Sequence, residues 1–189
     1  MRTKTILLTL MAITTMTACN GNKGQAENTA QPNKTLVAYF SATGNTKAAA
    51  EMVAEATGAD LFAIEPLETY SAADLDWTDS LSRSSREMKN PDARPAMKPS
   101  DIDVAPYDTV YVGYPIWWYV APRIVNSFLD ANNLSGKVVI PFATSGSSDI
   151  DRSVDELRKT YPQIDFRDGR LLNRASVDDV KSWIKEMQR

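Results

Sequence analysis

Six small, uncharged residues between a predicted strand and a predicted helix form the stretch of this sequence best suited to bind an anion. They are Ser41, Ala42, Thr43, Gly44, Asn45 and Thr46. The run 35–40 before them is apolar, β-branched or aromatic, which predicts a buried strand. Apolar residues recur at helical spacing after them, and Gly58 follows where a helix C-terminus is expected. The turn between strand and helix therefore places backbone N–H groups and the positive end of a helix dipole at one point, where an anion can bind.

The composition of this turn favours a single terminal phosphate over a nucleotide diphosphate. No Gly-Lys-Ser/Thr closes the turn and no Gly-x-Gly-x-x-Gly is present, so neither a Walker A loop nor a dinucleotide-binding turn is predicted. Four neutral hydroxyl and amide side chains suit one phosphate ester, although an ordinary turn with helix-capping Ser and Thr remains the alternative. The pattern Ser-x-Thr-Gly-Asn-Thr after a first strand resembles the FMN phosphate loop of flavodoxins. The resemblance implies that residues 41–46 bind the phosphate of FMN, with backbone N–H groups from 43 to 46.

A second stretch, residues 115–122, presents aromatic side chains at the end of another predicted strand. Its sequence is PIWWYVAP, a turn between prolines that would expose much apolar surface unless something covered it. A planar ligand would cover it; alternatively, the rings close the edge of the sheet. Gly-Tyr-Pro-Ile-Trp-Trp resembles the flavodoxin loop whose aromatic residues flank the isoalloxazine ring. The resemblance implies that four residues contact this ring, with one of the tryptophans stacked on it: Pro115, Ile116, Trp117 and Trp118.

A third turn follows the predicted strand 137–142 and is again small and hydroxylated. Ser/Gly turns are common, so the pattern is weak when taken alone. The turn resembles the second flavin-contacting loop of the same family, whose backbone groups bind the pyrimidine edge of the ring. By that resemblance the residues at this edge are Thr144, Ser145, Gly146 and Ser147.

Strands and helices alternate along the chain without an internal repeat, which predicts an α/β fold with a parallel sheet covered on both faces. The other predicted strands are 60–66, 107–114 and, for the last strand, 164–166 or 170–172; later helices are predicted from Pro122, around 150–161 and from Ser176. The resemblance implies a three-layer, doubly wound sheet of five strands in the order 2-1-3-4-5. In flavodoxins FMN lies where that order reverses. The three ligand-like turns follow the first, third and fourth strands, so we expect them at one sheet edge.

Residues 67–105 interrupt this alternation with a long, irregular segment. Such a segment inside a compact domain is usually functional or disordered. Its charges alternate in sign, as on a solvated surface, whereas Tyr70, Trp77 and Met88 indicate packing over the body of the domain. A short helix is predicted over about 73–89. Its place after the second strand is similar to an insertion in lipoprotein-like flavodoxins.

Residues 1–18 have the features of a secretory signal rather than of the folded domain. A basic start, a short apolar core and small residues before Cys19 resemble a bacterial lipoprotein signal, although a plain signal peptide with an incidental Cys is the alternative. The polar run 19–33 predicts a flexible tether, which leaves 34–189 as one domain. The sequence therefore predicts export across the inner membrane and attachment to a membrane through lipid on Cys19, in the bacterial periplasm or at the cell surface.

The composition excludes several kinds of catalysis. The chain contains no histidine and Cys19 is its single cysteine. A Ser-His-Asp triad, a disulfide framework and metal sites built on His or Cys are therefore excluded, and no catalytic or metal-binding residue is predicted. Redox chemistry must come from a bound cofactor. Loss of residues 1–18 leaves 19 of the 21 basic residues against 24 acidic ones, a net charge of −5 that disfavours nucleic acid as a partner.

The sequence thus predicts an FMN-binding, flavodoxin-like redox protein whose electron donor and acceptor it does not identify. Flavodoxins that carry single electrons turn over a peptide in the aromatic loop, which is easy where Gly or Asn takes a positive φ. Residues 115–120 contain no Gly, Asn or Asp, and a bulky residue in the left-handed region costs roughly 1–2 kcal/mol. We therefore expect two-electron chemistry, as in a quinone reductase. The alternatives are a non-redox lipoprotein that binds a phosphorylated small molecule and a phosphate-ester hydrolase, which would need carboxylates that 41–46 lack.

Overall fold

The structure, a computed structural model, describes residues 34–187 of the chain. These residues form a parallel sheet with helices on both faces. The predicted signal 1–18 and tether 19–33, including Cys19, lie outside the described residues. Between residues 34 and 187, no helix has the length and apolar character needed to cross a membrane.

The elements alternate as the sequence predicts. In chain order they are β1 (Lys34–Tyr39), α1 (Asn45–Thr57), β2 (Asp60–Ala63), α2 (Arg83–Lys89), β3 (Tyr107–Pro115), α3 (Arg123–Ala131), β4 (Val138–Thr144), α4 (Asp151–Thr160), β5 (Asp165–Phe166), β6 (Arg170–Leu171) and α5 (Val177–Met187). Most bounds differ from the prediction by only one or two residues, and two of the differences involve prolines. β2 ends at Ala63 rather than at 66, where Pro66 forms an isolated bridge with Met97 instead. Pro122 precedes α3 as its N-cap rather than occupying its first turn.

The strand order is β2-β1-β3-β4-β5, with all pairs parallel, so the predicted doubly wound order is confirmed. The last strand is split into two, because β5 and β6 each pair with β4. Residues 167–169 separate them. Gly169 is pressed against α4 here: a Cβ at this position would lie 2.7 Å from Ile150 Cδ1.

Alternate side chains of the strands fill two core layers, as the two-residue repeat of a strand requires. Val37 of β1 packs with α1 and α5 on one face, whereas Leu36 packs with α3 and α4 on the other. The α5 helix begins with the predicted capping pair: the Ser176 N–H and hydroxyl donate to Asp179 Oδ2 at 2.9 and 2.7 Å, and the Asp179 N–H donates back to Ser176 Oγ at 3.2 Å.

The segment 67–105, called the insertion from here on, forms less helix than predicted. Only Arg83–Lys89 is helical, not 73–89. The Asp76 carboxylate accepts hydrogen bonds from the N–H and hydroxyl of Thr78 at 2.9 and 2.6 Å, a local turn that competes with helix formation. The insertion covers the outer face of α3, where Ser127 Oγ donates to the Pro95 carbonyl at 2.8 Å. The whole stretch 123–129 is consequently buried.

Candidate functional site

The three predicted ligand turns meet at the carboxyl edge of the sheet. The turn after β1 and the turn after β4 are joined by the hydroxyls of Thr46 and Thr144, whose oxygens are 2.8 Å apart. The turn after β3 joins the same cluster, because the Ile116 N–H donates to the Thr144 carbonyl at 2.9 Å. Parallel pairing of β1, β3 and β4 brings these ends together. The structure therefore brings the three predicted turns together at one edge of the sheet.

The turn after β1 leaves several backbone donors at the start of α1. Gly44 precedes the helix with φ 92°, a conformation that Gly adopts without strain. Its N–H donates to Ser41 Oγ at 3.1 Å, and the first helical bond runs from the Ala48 N–H to the Gly44 carbonyl. The N–H groups of residues 45–47 therefore precede the intrahelical ladder. Since the first turn of α1 carries no acidic side chain, the helix end attracts an anion.

The side chains of this turn face two cavities. Thr43 and Asn45 line a cavity of about 920 Å³, called the large cavity from here on. Residues Ser41, Ala42 and Gly44 line a smaller cavity of about 240 Å³, together with Lys47 and Lys98. Thr46 is only 1% exposed, and its hydroxyl contacts Thr144. Residues of the predicted phosphate turn thus lie in three places. Some line the large cavity, some line the small cavity, and Thr46 is buried beneath the turn.

The aromatic turn after β3 is a two-residue hairpin. Trp117 and Val120 exchange backbone N–H to carbonyl bonds, both of 3.0 Å. Trp118 and Tyr119 between them have φ values of 47° and 70°, so the turn is of type I′. Two bulky residues of 115–120 therefore already adopt the positive φ that the sequence analysis expected to be costly. The paired bonds of the hairpin hold these two residues in the left-handed region despite its cost.

The two tryptophans of the hairpin have different surroundings. The Trp117 ring is half-buried and meets Phe40 and Tyr70 edge to face, with ring centroids 5.6 and 5.4 Å apart. With Pro115 and Ile116 it lines the large cavity. Trp118 is 43% exposed and lines a neighbouring cavity of about 410 Å³, called the outer cavity from here on. Of the two tryptophans, Trp117 is the one beside the large cavity.

The turn after β4 is held by a residue that the sequence did not single out, Asn173. The Ser145 N–H donates to Asn173 Oδ1 at 2.8 Å, and Asn173 Nδ2 donates to the Ser145 carbonyl at 2.7 Å. Ser145 Oγ also accepts from the N–H groups of Ser147 and Ser148, at 3.3 and 2.8 Å. Thr144, Ser145 and Gly146 line the large cavity, whereas Ser147 lines the outer cavity. Asn173 therefore sets the shape of this turn.

Four residues after β6 complete the wall of the large cavity: Leu172, Asn173, Arg174 and Ala175. Arg174 adopts φ 53° and is the one charged side chain among the described residues that line this cavity. A signal for these residues was present in the sequence. They follow a candidate last strand and precede the capping Ser176, so they had to lie at the carboxyl edge of the sheet.

Tyr70 supports the aromatic hairpin from the insertion. Its hydroxyl donates to Glu87 Oε2 at 2.6 Å, and the Arg83 guanidinium lies 4.0 Å from the centre of its ring. Burial, together with the bond to the Glu87 carboxylate, raises the pKa of Tyr70 well above its ordinary value. The phenol stays protonated at neutral pH, so it acts as a fixed hydrogen-bond donor beneath Trp117.

Comparison with known proteins agrees with this geometry. The flavodoxin family model matches residues 34–187, so the chain belongs to the flavodoxin family. No match was found among curated proteins.

Solved structures similar to this chain come from several bacteria. A protein from Bacteroides uniformis with the provisional name flavoprotein is 54% identical, with a TM-score of 0.80, over 82% of this chain and 99% of its own. A second, from Bacteroides eggerthii, is 49% identical with the same TM-score, over 82% and 98%. A flavoprotein from Lactobacillus acidophilus in complex with FMN shares the fold, with 21% identity and a TM-score of 0.61 over 77% and 97%.

Proposed function

We propose that this chain binds FMN in the large cavity and works as a flavin-dependent redox protein. One observation supports the proposal most strongly. The N-terminus of α1, which has no acidic residue in its first turn, and the Trp117 side chain lie at the same cavity. Of the predicted residues, those that line this cavity would contact FMN: Thr43 and Asn45 at the phosphate, Pro115, Ile116 and Trp117 at the ring, and Thr144, Ser145 and Gly146 at its polar edge. FMN supplies electron transfer in one- or two-electron steps, which this chain, without His and with a single Cys, cannot supply itself.

The large cavity fits FMN in size and chemistry. Its volume of about 920 Å³ lies within the range of roughly 300–1,000 Å³ that small-molecule sites occupy. The helix N-terminus and its N–H groups suit a phosphate, and Arg174 adds a positive charge to the wall. The complex of the Lactobacillus acidophilus flavoprotein with FMN supports the same assignment.

The chain's own residues position such a ligand rather than exchange protons with it. Asn173 occupies both backbone groups of Ser145, while the Gly146 N–H has no partner within the described residues and stays available as a donor. Thr46 and Thr144 tie the phosphate end of the cavity to the ring end. These bonds fix the distance between the two ends before a ligand binds.

The hairpin favours two-electron chemistry, for a physical reason that differs from the one expected from the sequence. Turning over the peptide between Trp118 and Tyr119 would convert the type I′ turn into type II′, which calls for Gly at its first central position. Trp118 stands at that position. Reductive titration followed by visible spectroscopy tests this point. We expect the oxidised form to convert to the two-electron reduced form, and a dominant one-electron form at half reduction would contradict it.

Attachment to a bacterial membrane through lipid on Cys19 is a separate part of the proposal, and it rests on the sequence of residues 1–33. We expect the full-length protein to fractionate with membranes and to carry an acyl mass on Cys19. The Cys19→Ser variant should be released or left unprocessed. A wild-type protein with an unmodified Cys19 would contradict the proposal.

The identity of the cofactor has a direct test. The purified protein should be yellow, with absorbance near about 450 nm, and the released compound should have the mass of FMN. A colourless protein that carries a phosphorylated metabolite would instead support a non-redox binding function.

A further inference from the structure

We infer that the outer cavity binds a neutral quinone and that Trp77 of the insertion forms one of its walls. The inference rests on the proposed FMN function, because the quinone would take its electrons from FMN in the large cavity. The outer cavity has a volume of about 410 Å³, within the range of small-molecule sites. Its lining consists of Leu75, Trp77 and Ser84 from the insertion, residues 116–119 of the hairpin, and residues 145–148 after β4.

The outer cavity adjoins the ring end of the large cavity and not its phosphate end. Two pairs of residues line both cavities, Ile116 with Trp117 and Ser145 with Gly146. None of residues 41–46 lines the outer cavity. A ligand there would therefore lie next to the residues proposed to hold the flavin ring, at the place from which electrons leave.

The lining selects a planar, uncharged ligand. Four aromatic side chains supply ring surfaces: Trp77, Trp117, Trp118 and Tyr119. The serines supply hydroxyl donors for carbonyl oxygens. Among the described residues that line the outer cavity, none is charged. A nicotinamide dinucleotide carries a pyrophosphate, which proteins usually meet with Arg, Lys or a helix N-terminus. A quinone needs no such group.

The aromatic walls are exposed but held in place. Trp77 is 75% exposed, Tyr119 54% and Trp118 43%, an open apolar surface of the kind that marks a binding groove. The backbone around Trp77 is fixed by the hydrogen bonds from Thr78 to the Asp76 carboxylate, of 2.9 and 2.6 Å. The Trp118 and Tyr119 backbone is fixed by the hairpin. The backbone that carries these aromatic side chains is therefore ordered before a ligand arrives, which lowers the entropy cost of binding.

The proposed reaction balances without a proton from the protein. Fully reduced FMN would supply two electrons and two protons to the quinone, which would become a hydroquinone and leave oxidised FMN. No described residue in the lining of the outer cavity carries a carboxylate, amine, imidazole or thiol, which agrees with this balance. The hairpin geometry, which favours two-electron over one-electron chemistry, agrees with it as well.

Equilibrium binding to the oxidised, FMN-loaded, full-length protein tests the inference without turnover. We would titrate menadione by calorimetry into the wild type and into Trp77→Ala. We expect Trp77→Ala to raise the Kd of menadione at least about tenfold and to leave the Kd of FMN unchanged. Leu67→Ala is the matched control, since Leu67 is another exposed apolar residue of the insertion, 56% exposed, that does not line the outer cavity. It should change neither Kd.

A second titration, with a naphthoquinone that carries a prenyl chain, distinguishes the two sources of such a ligand. Tighter binding than that of menadione would indicate a membrane quinone, and equal binding a free one. An unchanged menadione Kd in Trp77→Ala, or no binding to the wild type, would overturn the inference. A wild type that fails to bind FMN would overturn the proposed function, whereas normal FMN binding without menadione binding would overturn only the quinone site.

Discussion

The body of the domain and the insertion are ordered by different forces. In the body, the central residues of strands such as β3 and β4 are buried, and Phe142 has no exposed surface. In the insertion, short polar side chains bond to nearby backbone: Asp74 accepts from the Ser71 N–H at 2.9 Å, and Ser82 caps α2 by accepting from the Ser85 N–H at 3.2 Å. The body is held mainly by apolar burial, whereas the insertion combines local hydrogen bonds with a few buried residues, such as Tyr70 and Val104, that join the core.

The two cavities of the site belong to these two regions to different extents. The phosphate end of the large cavity belongs to the body, to β1 and α1. The outer cavity depends on the insertion and on the aromatic hairpin that the insertion supports through Tyr70. We therefore expect changes in the body to affect global stability and FMN binding, and changes in the insertion to affect local order and the outer cavity.

The largest effect should come from a substitution in the core of the body. Phe142→Ala removes a fully buried ring, and we expect it to lower the free energy of unfolding by about 3–5 kcal/mol. Trp77→Ala also truncates an aromatic side chain, but this side chain is 75% exposed. We expect Trp77→Ala to change the free energy of unfolding by less than about 0.5 kcal/mol. Urea denaturation measures both. Similar losses in the two variants would show that Trp77 is packed against the domain and contradict its assignment as an exposed wall of the outer cavity.

A smaller and local effect is expected from Tyr70→Phe. The variant removes the 2.6 Å hydrogen bond to the Glu87 carboxylate, a loss of about 1.5–3 kcal/mol for a bond to a charged group. Hydrogen exchange should rise within 67–105 and stay unchanged in β1 and β3. Tyr107→Phe is the matched control, because Tyr107 donates to Asp60 at 2.8 Å within the body. An insertion that opens equally in both variants would contradict the separation of the two regions.

A weaker effect is expected from Asn173→Ala, which releases Ser145. Loss of the two hydrogen bonds, each worth about 0.5–1.5 kcal/mol, should lower the free energy of unfolding by about 1–3 kcal/mol and weaken FMN binding by roughly fivefold. Asn133→Ala removes a comparable side-chain hydrogen bond, from the Ser135 N–H at 3.1 Å, after α3 and away from the cavity. Fluorescence titration with FMN compares the two. Equal effects would mean that Asn173 does not shape the turn after β4.

Near neutral pH, the stability of neither region should depend on pH. Burial raises the pKa of Tyr111 in the body to about 12, and burial with Glu87 raises that of Tyr70 in the insertion. The folded state therefore holds these phenol protons more tightly than the unfolded state, whose Tyr pKa is about 10. Their stabilising contribution is complete below about pH 10 and is lost as the pH rises through the folded pKa.

The midpoint of urea unfolding, measured at several pH values, checks this prediction. Since the chain contains no histidine, we expect no change between about pH 6 and about pH 9 and a decline near about pH 11. Tyr111→Phe should reduce that decline. A clear fall in the midpoint below about pH 9 would contradict this assignment.

The sequence predicted the body well because its signals are local and periodic. The run 35–40, the glycine after α1 and the capping pair at Ser176 each specify structure through nearby residues, and the parallel order follows from their alternation. The three ligand turns could be placed at one edge for the same reason.

The features that the sequence did not reveal depend on contacts between distant residues. Nothing local to Asn173 indicates that it bonds to Ser145, 28 residues earlier. The positive φ of Trp118 and Tyr119 runs against residue preference and arises from the hairpin pairing. The helix expected over 73–89 was shortened by side-chain bonds of the kind made by Asp76, which compete with helix and carry only a weak sequence signal.

The central claim, that the turn after β1 binds the phosphate of FMN, is tested most directly by comparing FMN with riboflavin. Riboflavin lacks the phosphate but keeps the ring. Charge-assisted hydrogen bonds are worth about 1.5–3 kcal/mol each, so riboflavin should bind at least about tenfold more weakly in a titration of tryptophan fluorescence.

The same titration with Thr43→Glu places a carboxylate beside that phosphate. We expect this variant to weaken FMN binding by at least about 2 kcal/mol and to leave riboflavin binding nearly unchanged. Ser135→Glu, which adds the same charge at an exposed site before β4, is the control and should change neither affinity. Equal affinity of the wild type for FMN and riboflavin would contradict the assignment of the phosphate turn.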